Sequence, residues 1–256
     1  MIRIFLSGIA LIIFIIISLP LLIVNQIFFI FKKKNIGGFF NNIPSLMLSL
    51  FGFLSGARVE YIDFDKIPKN TPSLFVLNHQ SIFDIILTYN KWQNYASYIA
   101  KIELTRYPLF AKWLEIAGCL FIDRKNLKQG MKIIIEAINR IKSGKSIAVF
   151  PEGTINKTGH PEILQEFKSG SLKIADKAKC PLIPVVIANS SSIFEAQKPF
   201  IKGRCKVLIK CLDPIDIKSL SEENQKNLSA YVRNLMQNEL TELYRSNFVK
   251  ETIDNL

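Results

Sequence analysis

The sequence predicts an α/β fold: a single domain whose central sheet is mostly parallel or mixed and flanked by helices, preceded by a membrane-embedded pair of N-terminal helices. Three observations carry this reading. Residues 4–31 include no charged side chain, and a second apolar stretch covers residues 36–54. After Gly56 short apolar runs alternate with amphipathic segments, the rhythm of an α/β domain. The 256 residues suffice for one sizeable core with an appendage, which divides the chain into residues 1–57 and 58–256.

Taken in order, the first apolar run exceeds the roughly 20 residues that cross a hydrocarbon layer as a helix. It is about twice as long as a secretory signal core and no small-x-small pattern closes it, so a removed leader fits poorly. Pro20 interrupts it, Lys32, Lys33 and Lys34 follow, and the second stretch carries Gly37, Gly38 and Pro44. Two arrangements accommodate these features: a single span, or a helical hairpin inserted from one side. Positive charge holds the lysine loop and the basic body at the cytoplasmic face, which favours the hairpin. A buried core helix is the third reading, and the long absence of charge counts against it.

Strands are expected at residues 74–77, 96–100, 120–122, 147–150, 182–188 and 206–212. Met131, Ile134, Ile135, Ile138 and Ile141 recur at helical spacing and stop at Gly144, a C-terminal cap. Ser219 with Glu222 reads as a capping box before a helix carrying Leu228, Tyr231, Val232, Leu235 and Leu243. Pro184 within an apolar run suggests an edge or strand-entry position.

The net charge of +12 suits either nucleic acid or an anionic lipid surface. The apolar start favours lipid, and no Lys/Arg block exceeds three residues, so nucleic acid is not an expected partner. Cys119, Cys180, Cys205 and Cys211 include no Cys-x-x-Cys pair. The last two would stand ~20 Å apart along one strand, too far for a disulfide. Reduced thiols of a cytosolic domain are expected, and so few histidines argue against a metal site.

Chemistry gathers in four blocks. His79 lies in Asn78-His79-Gln80-Ser81-Ile82-Phe83-Asp84, directly after a strand. An imidazole with a nearby carboxylate is the minimum equipment for taking a proton from a hydroxyl near neutral pH. On one continuous helix the two side chains would diverge by about 140°. His79 therefore belongs on the turn, with Ser81 as N-cap and Asp84 in the first helical turn. A polar turn that merely satisfies backbone groups is the competing reading.

The second block, Lys101-Ile102-Glu103-Leu104 with Tyr107-Pro108 and then Gly118 through Arg124, puts Lys101 and Arg124 at strand ends, where α/β sheets contact ligands. They are phosphate-binding cations or ordinary partners of Glu103 and Asp123. The third, Phe150-Pro151-Glu152-Gly153-Thr154, is a sharp turn that presents Glu152 at the same edge, as an acceptor for substrate hydroxyls or as a plain loop exit. The fourth, Phe167-Lys168-Ser169-Gly170 and then Cys180-Pro181-Leu182-Ile183-Pro184-Val185, reads as a helix start and a buried strand.

In this order the blocks resemble the glycerolipid acyltransferase family, over residues 58 to 190 of the chain. The resemblance implies acyl transfer from an acyl thioester, on acyl carrier protein or coenzyme A, to the sn-2 hydroxyl of lysophosphatidate, with no cofactor beyond that donor. It implies His79 as general base oriented by Asp84, phosphate held by Lys101 and Arg124, and the glycerol backbone positioned by Glu152 in its turn with Gly153 and Thr154. Membrane lipids are the implied partners, and the cytoplasmic face of the inner membrane the implied place.

One residue departs from the pattern. Where the family has arginine after Glu-Gly-Thr, this chain has Ile155, followed by Asn156 and Lys157. Isoleucine has no donor for a phosphate oxygen. Either Lys157, Arg124 or Lys101 takes over that grip, or the acceptor is another lysolipid, such as a lysophospholipid or an ornithine lipid. A reading of a different class is a non-enzymatic protein that binds anionic lipid or nucleic acid by charge. Ser81 as a nucleophile becomes unnecessary if the acceptor hydroxyl attacks directly.

Overall fold

The computed structural model describes residues 2–32, 37–92 and 96–248, so Lys33 and Lys34 of the basic loop lie outside the described residues. Helix α1 (Ile2–Lys32) continues through Pro20 and α2 (Gly37–Ser55) through Pro44, so neither proline ends its helix. The two helices pack on one another, and α2 packs in turn on the body. Over Ile2–Val24, α1 is long and apolar enough to cross a membrane and stays almost entirely uncovered, unlike a core helix.

Among the described residues seven strands make one sheet: β1 (Arg58–Ile62), β2 (Leu74–Leu77), β3 (Ser97–Lys101), β4 (Leu120–Ile122), β5 (Ile147–Val149), β6 (Leu182–Ala188) and β7 (Lys206–Cys211), in the order β1-β7-β6-β2-β5-β3-β4. Every pairing is parallel except β6 with β7. Helices α3 (Phe83–Thr88), α4 (Pro108–Ile116), α5 (Leu127–Lys142), α6 (Ser169–Ala178), α7 (Glu222–Lys226) and α8 (Leu228–Asn247) complete the domain.

Strand side chains alternate between two faces. Leu74, Val76, Ile147 and Val149 bury against Ala137 and Ile141 of α5, Leu172 of α6, and Val232, Met236 and Leu240 of α8. Phe75, Leu77, Ala148, Ile183 and Val185 bury on the other face with Phe83 and Leu87 of α3, Trp92 and Tyr98. Because β2, β5 and β6 are covered on both faces, they read as unbroken apolar runs.

Several local expectations need correction. Strand β1 was absent from the sequence reading: Arg58-Val59-Glu60-Tyr61-Ile62 mixes charge with apolar residues, as an edge strand does, and it pairs with β7 from Arg58↔Lys206 onward. Pro184 is not at an edge, for β6 lies between β2 and β7. The proline is tolerated because the β7 ladder begins only at Val185↔Cys211, while Leu212 N–H donates to the Pro184 carbonyl. The cap ahead of the C-terminal helices is Ser221, which accepts from Asn224 N–H, and Ser219 ends a short 3₁₀ turn instead. Gly144 does stand past the end of α5 with φ 94°, in the left-handed conformation that glycine adopts without strain. All four cysteines are free thiols.

Candidate active site

The carboxyl ends of β2, β5, β3 and β6 share one edge of the sheet, and the first three carry His79, Glu152 and Lys101, the side chains singled out above. Asn78, directly after β2, locks the turn to β6: its amide donates to Ile187 O (2.9 Å) and accepts from Ile187 N–H (2.7 Å). His79 follows on that pinned turn.

The imidazole Nδ1 of His79 lies 2.8 Å from Asp84 Oδ2, and Asp84 is fully buried at the start of α3. Oδ2 also accepts from the N–H groups of Gln80 (2.7 Å) and Ser81 (2.8 Å), and Oδ1 accepts from the Ser190 hydroxyl. A carboxylate with this many donors only accepts, which assigns the proton to Nδ1 and leaves Nε2 with a lone pair. No protein group occupies Nε2 among the described residues. The His79 ring lies flat on Phe150, centroids 4.0 Å apart and planes 20° apart, so its orientation is held by a stack as well as a hydrogen bond.

Asp84 is anchored from below too. Its carbonyl accepts from the Thr88 hydroxyl, which bonds Tyr98 OH (2.6 Å), and Trp92 Nε1 donates to the same phenol (2.8 Å). Desolvation raises the Tyr98 pKa well above that of a free phenol, so this network stays neutral and fixes α3 to β3. Helix α3 begins at Phe83, one residue later than a Ser81 cap implies, yet Ser81 Oγ does accept from Phe83 N–H at 3.0 Å. Fully buried and used as a cap, Ser81 is no nucleophile.

Glu152 leaves β5 into the same edge and is only 5% exposed. Its Oε1 accepts from His79 N–H (2.8 Å) and its Oε2 from Gln165 N–H (3.0 Å), so both oxygens are engaged with the protein main chain. Asn156 N–H closes the turn by donating to the His79 carbonyl (2.8 Å). Burial pushes the Glu152 carboxyl above its usual range, and the two N–H donors offset part of that. Gly153 has φ 76°, the left-handed backbone that glycine adopts without strain, and the Lys168 side chain lies against it, with Nζ 3.0 Å from where a Cβ would stand. Thr154 is exposed, and Ile155 is half-buried.

Glu152→Gln separates the role of charge from that of shape. The amide oxygen serves one backbone N–H and the NH₂ opposes the other, so kcat is expected to fall about 10-fold or more as His79 loosens, from a donor left unsatisfied at ~1–3 kcal/mol. The raised carboxyl pKa means the native state holds its proton to higher pH than the unfolded chain. This group's contribution to stability therefore falls as pH rises above about 4.5, its unfolded value. Thermal midpoints of the two proteins should shift in favour of the glutamine variant as pH climbs through that window. A gap independent of pH would contradict this account of Glu152.

Lys101 and Arg124 reach the same edge through the parallel β3–β4 pair, where Lys101 stands opposite Ile122. Lys101 Nζ lies 3.2 Å from Glu103, and Arg124 is exposed. Among the described residues, neither is joined to the His79–Asp84 pair by a hydrogen bond or ion pair. The structure thus gathers His79, Asp84, Glu152, Gly153 and Thr154 tightly and leaves the two cations at the open end of the edge. Sequence reasoning overlooked three contributors. Ser190 sits 106 positions from Asp84 and has no local signal. Phe150 was quoted without its stacking role, and Lys168 lay in a quoted block but was given no part.

A strand–turn pair of histidine and aspartate on an α/β edge, with an imidazole nitrogen that no protein group occupies among the described residues, is the arrangement of an enzyme that can accept a proton from a hydroxyl. The chain belongs to the acyltransferase family: residues 58–188 match the family described as Acyltransferase. It is 29% identical over 181 residues to the 1-acyl-sn-glycerol-3-phosphate acyltransferase of Borreliella burgdorferi, covering 71% of each chain. It is 31% identical over 198 residues to 1-acyl-sn-glycerol-3-phosphate acyltransferase alpha of Ovis aries, covering 76% of this chain and 67% of that one. Among solved structures, the 1-acyl-sn-glycerophosphate (LPA) acyltransferase PlsC of Thermotoga maritima superposes with a TM-score of 0.65 at 26% identity, over 82% of this chain and 79% of that one.

Proposed function

We propose that the protein transfers a fatty acyl group from an acyl thioester, on acyl carrier protein or coenzyme A, to the sn-2 hydroxyl of 1-acyl-glycerol-3-phosphate, giving phosphatidic acid. One observation carries this reading: His79, oriented by Asp84, offers a free Nε2 at the sheet edge beside a pair of apolar helices. The names of the relatives support the acceptor.

In this mechanism Nε2 takes the proton of the acceptor hydroxyl as its oxygen bonds to the thioester carbonyl carbon. Asp84 stabilises the imidazolium that forms. When the tetrahedral intermediate collapses, the carbon–sulfur bond breaks and the proton passes from Nε2 to the departing thiolate. Atoms and charge balance without a covalent enzyme intermediate. Lys101 and Arg124 hold the acceptor phosphate, Arg124 by its fork and Lys101 as a point charge. The Glu152-Gly153-Thr154 turn forms the wall for the glycerol backbone, with Glu152 acting on it through the His79 main chain.

Residues 1–57 serve as the anchor and residues 58–256 as the acyltransferase domain, seated on the cytoplasmic face of the inner membrane. A hairpin inserted from one side is supported by the hydrogen bond from Arg3 Nη1 to Leu54 O (3.0 Å), which brings the start of α1 back to the end of α2. Such an anchor keeps the site where a lysolipid acceptor and a diacyl product reside.

The deciding assay supplies purified protein with lysophosphatidate, lysophosphatidylcholine and a lyso-ornithine lipid in turn, with each thioester donor. Transfer to lysophosphatidate at the highest kcat/KM is expected. Transfer confined to an acceptor without a phosphomonoester would overturn the choice of substrate and trace the difference to Ile155.

A further inference from the structure

Most of the positive charge is not at the catalytic pair. Because β7 runs antiparallel to β6 and β1 runs parallel to β7, the starts of β1 and β7 lie at the same edge as His79, but at the far end of the sheet from Lys101 and Arg124. A cleft of about 430 Å³ opens there, lined by Arg58, Lys202, Arg204 and Lys206, with Glu60 as its one carboxylate. Glu60 lies 3.7 Å from Lys206 Nζ. The side chains of Arg58, Lys202 and Arg204 have no ion pair or hydrogen bond among the described residues. Three unpaired cations around one cleft repel each other, and an anion with several oxygens relieves that repulsion.

The backbone is arranged to bring them together. Arg204 holds φ 65°, an unusual conformation for a residue with a side chain, while its N–H donates to Gly56 O at 2.8 Å. Arg3 of α1 lies against Gly56 and Gly203 so closely that a side chain at either would collide with its guanidinium. The cleft therefore adjoins the root of α1, whose Ile2 and Phe5 are 73% and 67% exposed and continue into exposed Ile9, Ile12 and Ile16 at helical spacing.

We infer that this cleft binds the phosphate of an anionic phospholipid of the surrounding membrane, at a site separate from the acyl acceptor, with the lipid's chains lying along the exposed face of α1. The exposed apolar surface of α1, which begins beside the cationic cleft, selects a lipid, whose chains have room along the helix, over a soluble anion, which has nothing to place on it. This inference rests on the membrane placement of the helices and is independent of which lysolipid is acylated.

The test compares the full-length protein with an Arg58→Gln, Lys202→Gln, Arg204→Asn triple variant, on phosphatidylcholine vesicles and on vesicles that also contain phosphatidylglycerol. Asparagine at 204 tolerates the left-handed backbone. The wild type should prefer the anionic vesicles, and the variant should lose about 100-fold of that preference, at the usual contribution per basic side chain near an anionic surface. Binding to neutral vesicles and turnover on detergent-dispersed acceptor should persist, which also shows that the variant is folded. An unchanged preference overturns the site. Loss of the preference in the presence of inorganic phosphate assigns the cleft to a free anion, and loss of acyl carrier protein binding in the variant assigns it to an acidic protein; either overturns the lipid. Failure of the wild type to bind any vesicle sinks the membrane placement itself.

Discussion

Replacing His79 with alanine is expected to abolish measurable acyl transfer, lowering kcat by at least the ~10²–10⁴-fold that a positioned general base contributes. Nothing else at the edge can take over. Asp84 is fully buried, both Glu152 oxygens are engaged with N–H groups, and Lys101, at the open end of the edge, is ion-paired with Glu103. The backbone contacts of residue 79, to Glu152 and from Asn156, survive the substitution. The fold should lose only the Phe150 stack, about 0.5–1.5 kcal/mol, together with the bond to Asp84. Circular dichroism and a thermal melt would establish that the variant is folded. A folded variant that still turns over at the wild-type rate rejects the mechanism.

The site's chemistry was legible where it is local. An imidazole after an apolar strand, a carboxylate that a continuous helix would turn away from it, and a Pro-Glu-Gly turn after another strand are all short-range patterns. Each reappears at the sheet edge, and there the imidazole meets its carboxylate. Partners supplied by distant segments were not legible. Ser190 reaches Asp84 only because β6 lies beside β2, and the sequence does not give strand order. The same holds for Glu152: sequence aimed its carboxylate at a substrate, whereas the neighbouring N–H groups of His79 and Gln165 reach it first. Strand β1 escaped because an edge strand does not need two apolar faces, so the alternation that marks buried strands is diluted.

The unbroken passage of α1 through Pro20 has a related explanation. Proline removes one donor and crowds the preceding turn, which weakens a helix by ~3 kcal/mol in water. In an apolar environment no competing solvent takes up the freed backbone groups, so the helical state remains the best available one. Pro20 is thus compatible with a continuous helix that is long and apolar enough to cross a membrane.

Asp84 carries the second large expectation, and two substitutions divide it. Alanine leaves four donors without an acceptor: the imidazole Nδ1–H, the N–H groups of Gln80 and Ser81, and the Ser190 hydroxyl. At ~1–3 kcal/mol for each buried donor left unsatisfied, Asp84→Ala is expected to destabilise the domain severely as well as silence it. Asparagine is gentler on the fold. Three of the donors converge on Oδ2, so the amide oxygen takes that position, and the Ser190 hydroxyl reverses to accept from the amide NH₂. The imidazole keeps its tautomer and its place, and only the negative charge is lost. Without it, the imidazolium formed during hydroxyl attack has no counter-charge in a buried setting, and kcat should fall by about 10²–10⁴-fold while the thermal midpoint moves little. Measuring both quantities for Asp84→Asn separates the electrostatic task from the architectural one. Full turnover in that variant would leave Asp84 as a tether for the turn and remove it from the chemistry.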